Sequence, residues 1–233
     1  VEGTGVYGYR LPRSCTTGAS DCLVQVLCRG QLEGRVEWRR YKTADPVQSA
    51  PMQFTQKRLF FFLPTQPPAG KLEYRVFIKQ PSGELELSRG PVVTRFKGPV
   101  PAGILVPHII LMFLFMLFAV RIFLSAAFNL EPVKHSVPAT VIFLLLGGFV
   151  YGPLTQYYAF GQAWTGFPFG YDLTDNKTLL MLLAWLPALW TVLKQKNSRP
   201  WLLLAFAVTA AVYLVPHSLF GSELDHSTGK VVT

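Results

Sequence analysis

Hydrophobic and polar positions follow two different patterns on the two sides of Pro99-Val100. Before that point, apolar residues alternate with polar ones, as on half-buried strands. Val36 and Trp38 share one face of Arg35–Arg39, and Leu72, Tyr74, Val76 and Ile78 share one face of Lys71–Lys79. Cys22–Cys28, Arg58–Leu63 and Val92–Phe96 read as three further strands, separated by Gly and Pro clusters such as Pro67-Pro-Ala-Gly70. Pro81-Ser-Gly83 reads as a hairpin turn, with Gly83 free to take positive φ. After the boundary the alternation stops, and Ile104–Ala126 runs apolar with one charge, Arg121.

A bilayer core about 30 Å thick needs roughly 20 apolar helical residues, and Ile104–Ala126 meets that requirement unaided. Three more candidate spans follow at Val137–Tyr158, Thr178–Leu193 and Trp201–Leu219, the last interrupted by Pro216-His217. The expected architecture is a β-sandwich domain over residues 1–98, an all-α membrane domain of four transmembrane helices over 99–221, and a tail over 222–233. Gly147-Gly148 in the second span permits close helix packing.

Charge divides at the same boundary. Of the 22 Lys and Arg, 15 precede Val100 together with 8 of the 13 acids, so the first part carries about +7 and the remainder is nearly neutral. A basic domain beside a membrane suits anionic headgroups or an acidic partner surface. Nucleic acid is not expected, because no helix-turn-helix, zinc-finger or RNA-binding signature occurs. The links Lys194–Arg199 and Glu131–Lys134 are basic or mixed, whereas Gly152–Asn176 has no Lys or Arg and two aspartates. The positive-inside rule then places the N-terminal domain, the second long loop and the C-terminus outside; the expected location is a bacterial inner membrane, with that face periplasmic. A chain beginning at Val1 is expected to be a processed or trimmed product, with a cleaved secretory signal as the simplest cause.

The three cysteines, Cys15, Cys22 and Cys28, fall in the domain expected to be exterior, where oxidation is permitted. Cys22 and Cys28 share a strand face but stand about 20 Å apart along it. Cys15 with Cys22 is therefore the feasible disulfide.

The segment Pro67-Pro-Ala-Gly-Lys-Leu-Glu-Tyr-Arg-Val-Phe-Ile78 resembles the penultimate strand of a fibronectin type III or immunoglobulin-like module, in which a Tyr alternates with aliphatic residues. The resemblance implies a spacer or docking module rather than a catalytic one.

Candidate chemistry gathers at the expected exterior rim. His108 and His217 each sit in a Val-Pro-His tripeptide near the ends of the first and fourth spans. Ionisable groups in a membrane segment are costly, so they are functional candidates. Two imidazoles at matching depth could ligate haem iron, or, with Glu223, Asp225, His226 or Asp172, a transition metal. The plainer reading has a neutral imidazole bonding a carbonyl freed by the adjacent proline, or reaching headgroup water. Thr174 or Asp175 is expected to cap the third span. Tyr157, Tyr158, Trp164, Phe167, Phe169 and Tyr171 read as an aromatic belt or as a lipid, quinone or pigment contact surface. His135, near Pro138, reads as a solvated loop residue.

No P-loop, HExxH or GxSxG motif occurs, and no midmembrane acid or base marks a transport path. The expected function is that of a non-catalytic integral-membrane subunit of a larger respiratory, photosynthetic or similar complex, contacting other membrane-protein subunits and the lipid bilayer. The alternatives are a small metal- or haem-binding redox protein and an envelope receptor or tether.

Overall fold

A computed structural model describes residues 5–18, 22–81, 83–130, 133–216, 223–226, 228–229 and 231–232. The chain divides into two compact units, Val1–Pro99 with Glu223–Val232, and Val100–Ser222 with Thr233. The segment expected as a separate tail thus groups largely with the β-rich unit.

Among the described residues, twelve strands form in chain order: β1 (Val6–Arg10), β2 (Ser14–Thr16), β3 (Leu23–Cys28), β4 (Gly34–Arg40), β5 (Gln48–Pro51), β6 (Gln53–Thr55), β7 (Arg58–Phe62), β8 (Lys71–Gln80), β9 (Gly83–Glu86), β10 (Val92–Lys97), β11 (Glu223–Leu224) and β12 (Val231–Val232). Strands β1-β3-β7-β6 make a four-stranded sheet. Strands β2-β10-β8-β4-β5 make a larger one, in which β9 also pairs with β8. The β8–β9 hairpin closes with Gln80 opposite Gly83, whose φ is 126°.

Alternation does its work on β8, where Leu72, Tyr74, Val76 and Ile78 are all buried. Their cluster also contains Val24, Val26 and Leu59 from the other sheet, so both sheets contribute to one core. The buried Tyr74 keeps its polar end satisfied by donating a 2.9 Å hydrogen bond to Pro12 O. Cys15 and Cys22 are joined by a disulfide with Cα atoms 5.1 Å apart. Cys28 is a buried free thiol, and burial raises its pKa.

In the second unit, α1 (Ala102–Phe128) is followed by α2 (Ser136–Leu144), a π-helical segment (Leu145–Tyr151) and α3 (Gly152–Phe160), then α4 (Leu173–Leu193) and α5 (Arg199–Leu214). Among the described residues, three stretches are long and apolar enough to cross a membrane: Ala102–Phe128, Ser136–Phe160 and Leu173–Leu193. The expectation of four full-length spans is corrected here. Helix α5 has 16 residues, so it reaches only about 24 Å at 1.5 Å per residue. Its end has a local cause: Pro216 drives Val215 out of the helical region, to φ −84° and ψ 121°. His217 and the following residues to 222 lie outside the described residues.

The helical core is built from Phe115, Ala119 and Ile122 of α1, Val141 and Leu144 of α2, Met181 and Trp185 of α4, and Leu202 and Ala205 of α5. Gly148 marks a close approach, since a Cβ there would lie 2.6 Å from Thr178 Cγ2. Trp185 Nε1 donates to Thr209 Oγ1 at 2.9 Å, which removes an otherwise unpaired donor from the packed interior.

Candidate functional site

The rim begins where the loop after α3 enters α4. Asp172 is the N-cap, and its Oδ1 accepts hydrogen bonds from Thr174 N at 2.8 Å and Asp175 N at 3.4 Å. This corrects the expectation that Thr174 or Asp175 caps the helix. Capping requires a residue still outside helical dihedrals, and Asp172, with φ −54° and ψ 122°, occupies that position.

Asp175 has a different task. It is buried, and its Oδ2 accepts from Thr165 N at 2.6 Å, Gly166 N at 3.1 Å, Thr165 Oγ1 at 3.2 Å and Gln156 Nε2 at 3.2 Å. Beside it, Asn176 Oδ1 accepts from Phe167 N at 2.7 Å. Two consecutive side chains of α4 therefore hold three consecutive backbone N–H groups of the loop. The loop must lie close for this, and a Cβ on Gly166 would stand only 2.6 Å from Asp175 Cβ.

This anchoring presents the aromatics. Phe167, Phe169 and Tyr171 are 66%, 83% and 85% exposed, although they sit four to eight residues before the buried Asp175. Trp164 stacks on Phe149 with centroids 5.5 Å apart and donates through Nε1 to Phe167 O at 3.1 Å. Tyr157 and Tyr158 are exposed and meet edge to face. The arrangement is a hydrogen-bonded loop that displays aromatic rings.

His108 is half-buried in α1 and donates from Nδ1 to Gly147 O at 2.9 Å. The donor must be Nδ1–H because a carbonyl only accepts, which leaves Nε2 as the acceptor nitrogen when the ring is neutral. Gly147 O also accepts the N–H of Gly152, so the histidine joins α1 to the π-helical segment at one shared carbonyl.

Lys177 was not singled out from the sequence. It is 6% exposed, and Nζ donates to Val215 O at 2.9 Å and Pro216 O at 3.2 Å. Carbonyls at a helix C-terminus have no partner within the helix, and here a cation from α4 serves them. The signal was available: a lysine at the start of an apolar span must find acceptors, and Val215-Pro216 ends a helix with carbonyls open.

The remaining candidates belong to the β-rich unit. Glu223 Oε2 accepts from Lys71 Nζ at 3.0 Å and Lys42 Nζ at 3.1 Å, and Leu224 N donates to Ala69 O at 3.1 Å. Burial pushes the Glu223 carboxyl up, but the hydrogen bonds from Lys71 and Lys42 together outweigh it and hold the pKa below the usual range. Asp225 turns the chain, accepting Thr228 Oγ1 on its side chain at 2.9 Å and Gly229 N on its carbonyl at 2.8 Å. His226 adds to the positive surroundings of Asp45, whose carboxyl the hydrogen bond from Arg40 holds down at about 2. Among the described residues, no group of three or more His, Cys, Asp or Glu side chains is arranged to hold a metal ion. Comparison with protein-family models, with curated proteins and with solved structures finds no match.

Proposed function

We propose that the protein is a non-catalytic integral-membrane subunit whose helical unit anchors a β-sandwich docking domain on the exterior face of a bacterial inner membrane. The observation that carries this reading is a segregation of surface chemistry between the two sheets. Carboxylates of the larger sheet and its flanking turns pair with cations: Glu37 and Glu84 with Arg35, Glu73 with Arg39, Asp45 with Arg40, Glu86 with Arg75, and Glu33 with Lys79. Such a lattice suits contact with water.

The smaller sheet is different. Its large exposed aromatics are Tyr7 and Phe62, with Tyr9 and Phe54 on the edge strands opposite the core-facing Val26 and Leu59. On β3, Val24, Val26 and Cys28 point to the core, so Leu23 and Leu27 face outward. Leu23 pairs with Phe62, Gln25 with Phe60 and Leu27 with Arg58, which puts a mostly apolar face, interrupted by one amide, beside a cation. Apolar and aromatic side chains rimmed by Arg are the composition of a protein contact surface.

The helical unit supports the same reading. His108, Asp175 and Lys177 are each committed to backbone groups of this chain, as structural joints would be. Most residues of the three candidate spans remain unburied within the chain, leaving apolar faces for lipid or neighbouring subunits.

The test is photocrosslinking in native membranes from a probe at Phe62, with a probe at Glu84 on the other sheet as control. The expected result is one stoichiometric adduct from position 62 alone, lost in a Tyr7→Asp variant that keeps the wild-type Tm. Equal labelling from both positions, or a lone monodisperse protein with no adduct, overturns the proposal.

A further inference from the structure

At the end of the helical unit where α4 runs into α5, a concave site of about 600 Å³ opens between the end of α1, the approach to α2 and the α4–α5 link. Its polar lining includes Lys134, Lys196 and Arg199, with Asn129, Gln195 and Ser198 between them. No described lining residue carries a carboxylate. Val192 and Leu202 supply an apolar wall.

Three cations from two chain segments, the approach to α2 and the α4–α5 link, converge on one concavity. Compensation of helix C-terminal dipoles explains a lysine just past α4, but it does not require a cavity or draw Lys134 toward it. Arg199 donates from Nη2 to Ala127 O at 3.3 Å, which ties its guanidinium to the end of α1 and leaves further N–H donors in its planar fork. Lys196 rests its ammonium 4.2 Å from the Trp190 ring centroid. Both cations are therefore positioned before any ligand arrives. Helix α5 also starts here, and Ser198 makes no side-chain capping bond, although Pro200 contributes no N–H and Leu202 N is already bonded to Ser198 O, so the helix end adds little to the cations.

From these features we infer that the cavity binds the phosphate group of an anionic phospholipid. Cations with fork and point geometry suit phosphate oxygens, and a basic pocket between membrane helices is a headgroup site in physical terms. Its place fixes the source as lipid rather than a free phosphate. The lining comes from the ends of α1 and α4, two candidate spans, and such ends lie at the level of lipid headgroups. The apolar wall suits a glycerol backbone or first acyl carbons, and inorganic phosphate has no use for it. The volume lies within the roughly 300–1,000 Å³ of small-ligand sites. The inference rests on the membrane reading of the helices and not on the docking role of the sheets.

The test uses the full chain, detergent-extracted from mixed bilayers of phosphatidylcholine and phosphatidylglycerol and weighed by native mass spectrometry. One retained phosphatidylglycerol per chain is expected, enriched over phosphatidylcholine. A triple variant, Lys134→Gln, Lys196→Gln and Arg199→Gln, is expected to bind it roughly a hundredfold more weakly, at about fivefold per cation. A second triple variant, Lys134→Arg, Lys196→Arg and Arg199→Lys, keeps the charge and is expected to retain the lipid, which separates loss of binding from loss of fold. Inorganic phosphate added at millimolar concentration distinguishes the sources. Failure to displace the lipid supports the inference, and saturable phosphate binding that displaces it overturns the lipid assignment in favour of a soluble phosphate. Equal retention of both lipids, or retention unchanged in the Gln variant, overturns it outright.

Discussion

Replacing Asp175 by Ala removes the acceptor on which the loop after α3 is hung. Its Oδ2 serves Thr165 N, Gly166 N, Thr165 Oγ1 and Gln156 Nε2, all within 3.2 Å. The hydroxyl and the side-chain amide can turn to other partners, but the two backbone N–H groups cannot. A buried donor left without an acceptor costs about 1–3 kcal/mol. Partial access of water to a loop lowers the sum, and removal of a charge that itself had to be desolvated lowers it again. The expected loss is therefore about 2–4 kcal/mol for Asp175→Ala. Asp175→Asn keeps one carbonyl oxygen in place and loses only the charge assistance, about 1 kcal/mol. Unfolding in nanodiscs gives the total, and hydrogen–deuterium exchange locates it, with Thr165 and Gly166 amides accelerated more than those of α4. Chymotrypsin provides a third reading, because release of the loop should speed cleavage after Phe169 and Tyr171. A Tm for Asp175→Ala equal to wild type, with unchanged exchange at residues 165 and 166, would refute the idea that this carboxylate anchors the loop.

Three further outcomes follow from the geometry. Glu223 has its pKa depressed below an ordinary value of 4.5, so its contribution to holding the C-terminal segment is complete above that pH and is lost as pH falls through the lower folded value. Protection of Leu224 N, bonded to Ala69 O, measured against the intrinsic exchange rate at each pH, should fall in acid and be low already at neutral pH in Glu223→Gln; a protection factor independent of pH would contradict this. Gly148→Val should cost about 1–3 kcal/mol, because the new Cβ meets Thr178 at 2.6 Å, and a wild-type Tm would show that the helices part easily there. Breaking the Cys15–Cys22 bond, across a separation of seven, should cost about 2.5 kcal/mol by loop-closure entropy, read from the urea midpoint of the β-rich unit with and without reductant.

The long strands were legible because their periods are clean. Arg35–Arg39, Lys71–Lys79 and Val92–Phe96 each emerge within a residue or so of the observed β4, β8 and β10. Strands β1, β2, β5, β6 and β9 were not legible, being three to five residues long; such pieces are held by pairing with neighbours rather than by their own pattern. The pairing of β11 with β12, and the attachment of their segment to the β-rich unit, depends on Lys42 and Lys71 meeting Glu223 from more than 150 residues away. Sequence spacing carries no trace of that. The cap at α4 was misread for a narrower reason, since three candidate oxygens, Asp172, Thr174 and Asp175, lie within four residues and only backbone dihedrals select among them.

The fourth span and Lys177 are one error seen twice. Hydropathy sums over Trp201–Leu219 as though the helix continued, but α5 ends at Leu214 with Val215 already extended before Pro216. The carbonyls of Val215 and Pro216 need donors, and an apolar neighbour cannot provide them. Lys177 does, with both bonds at 3.2 Å or less, from the fifth residue of a helix whose apolar run begins at residue 178. Starting the third span at residue 178 therefore placed outside the helix the residue that reaches across to α5. The proline that shortens α5 supplies the acceptors that make the burial of Lys177 tolerable, so the length of one helix and the charge on another are set by the same break in the chain.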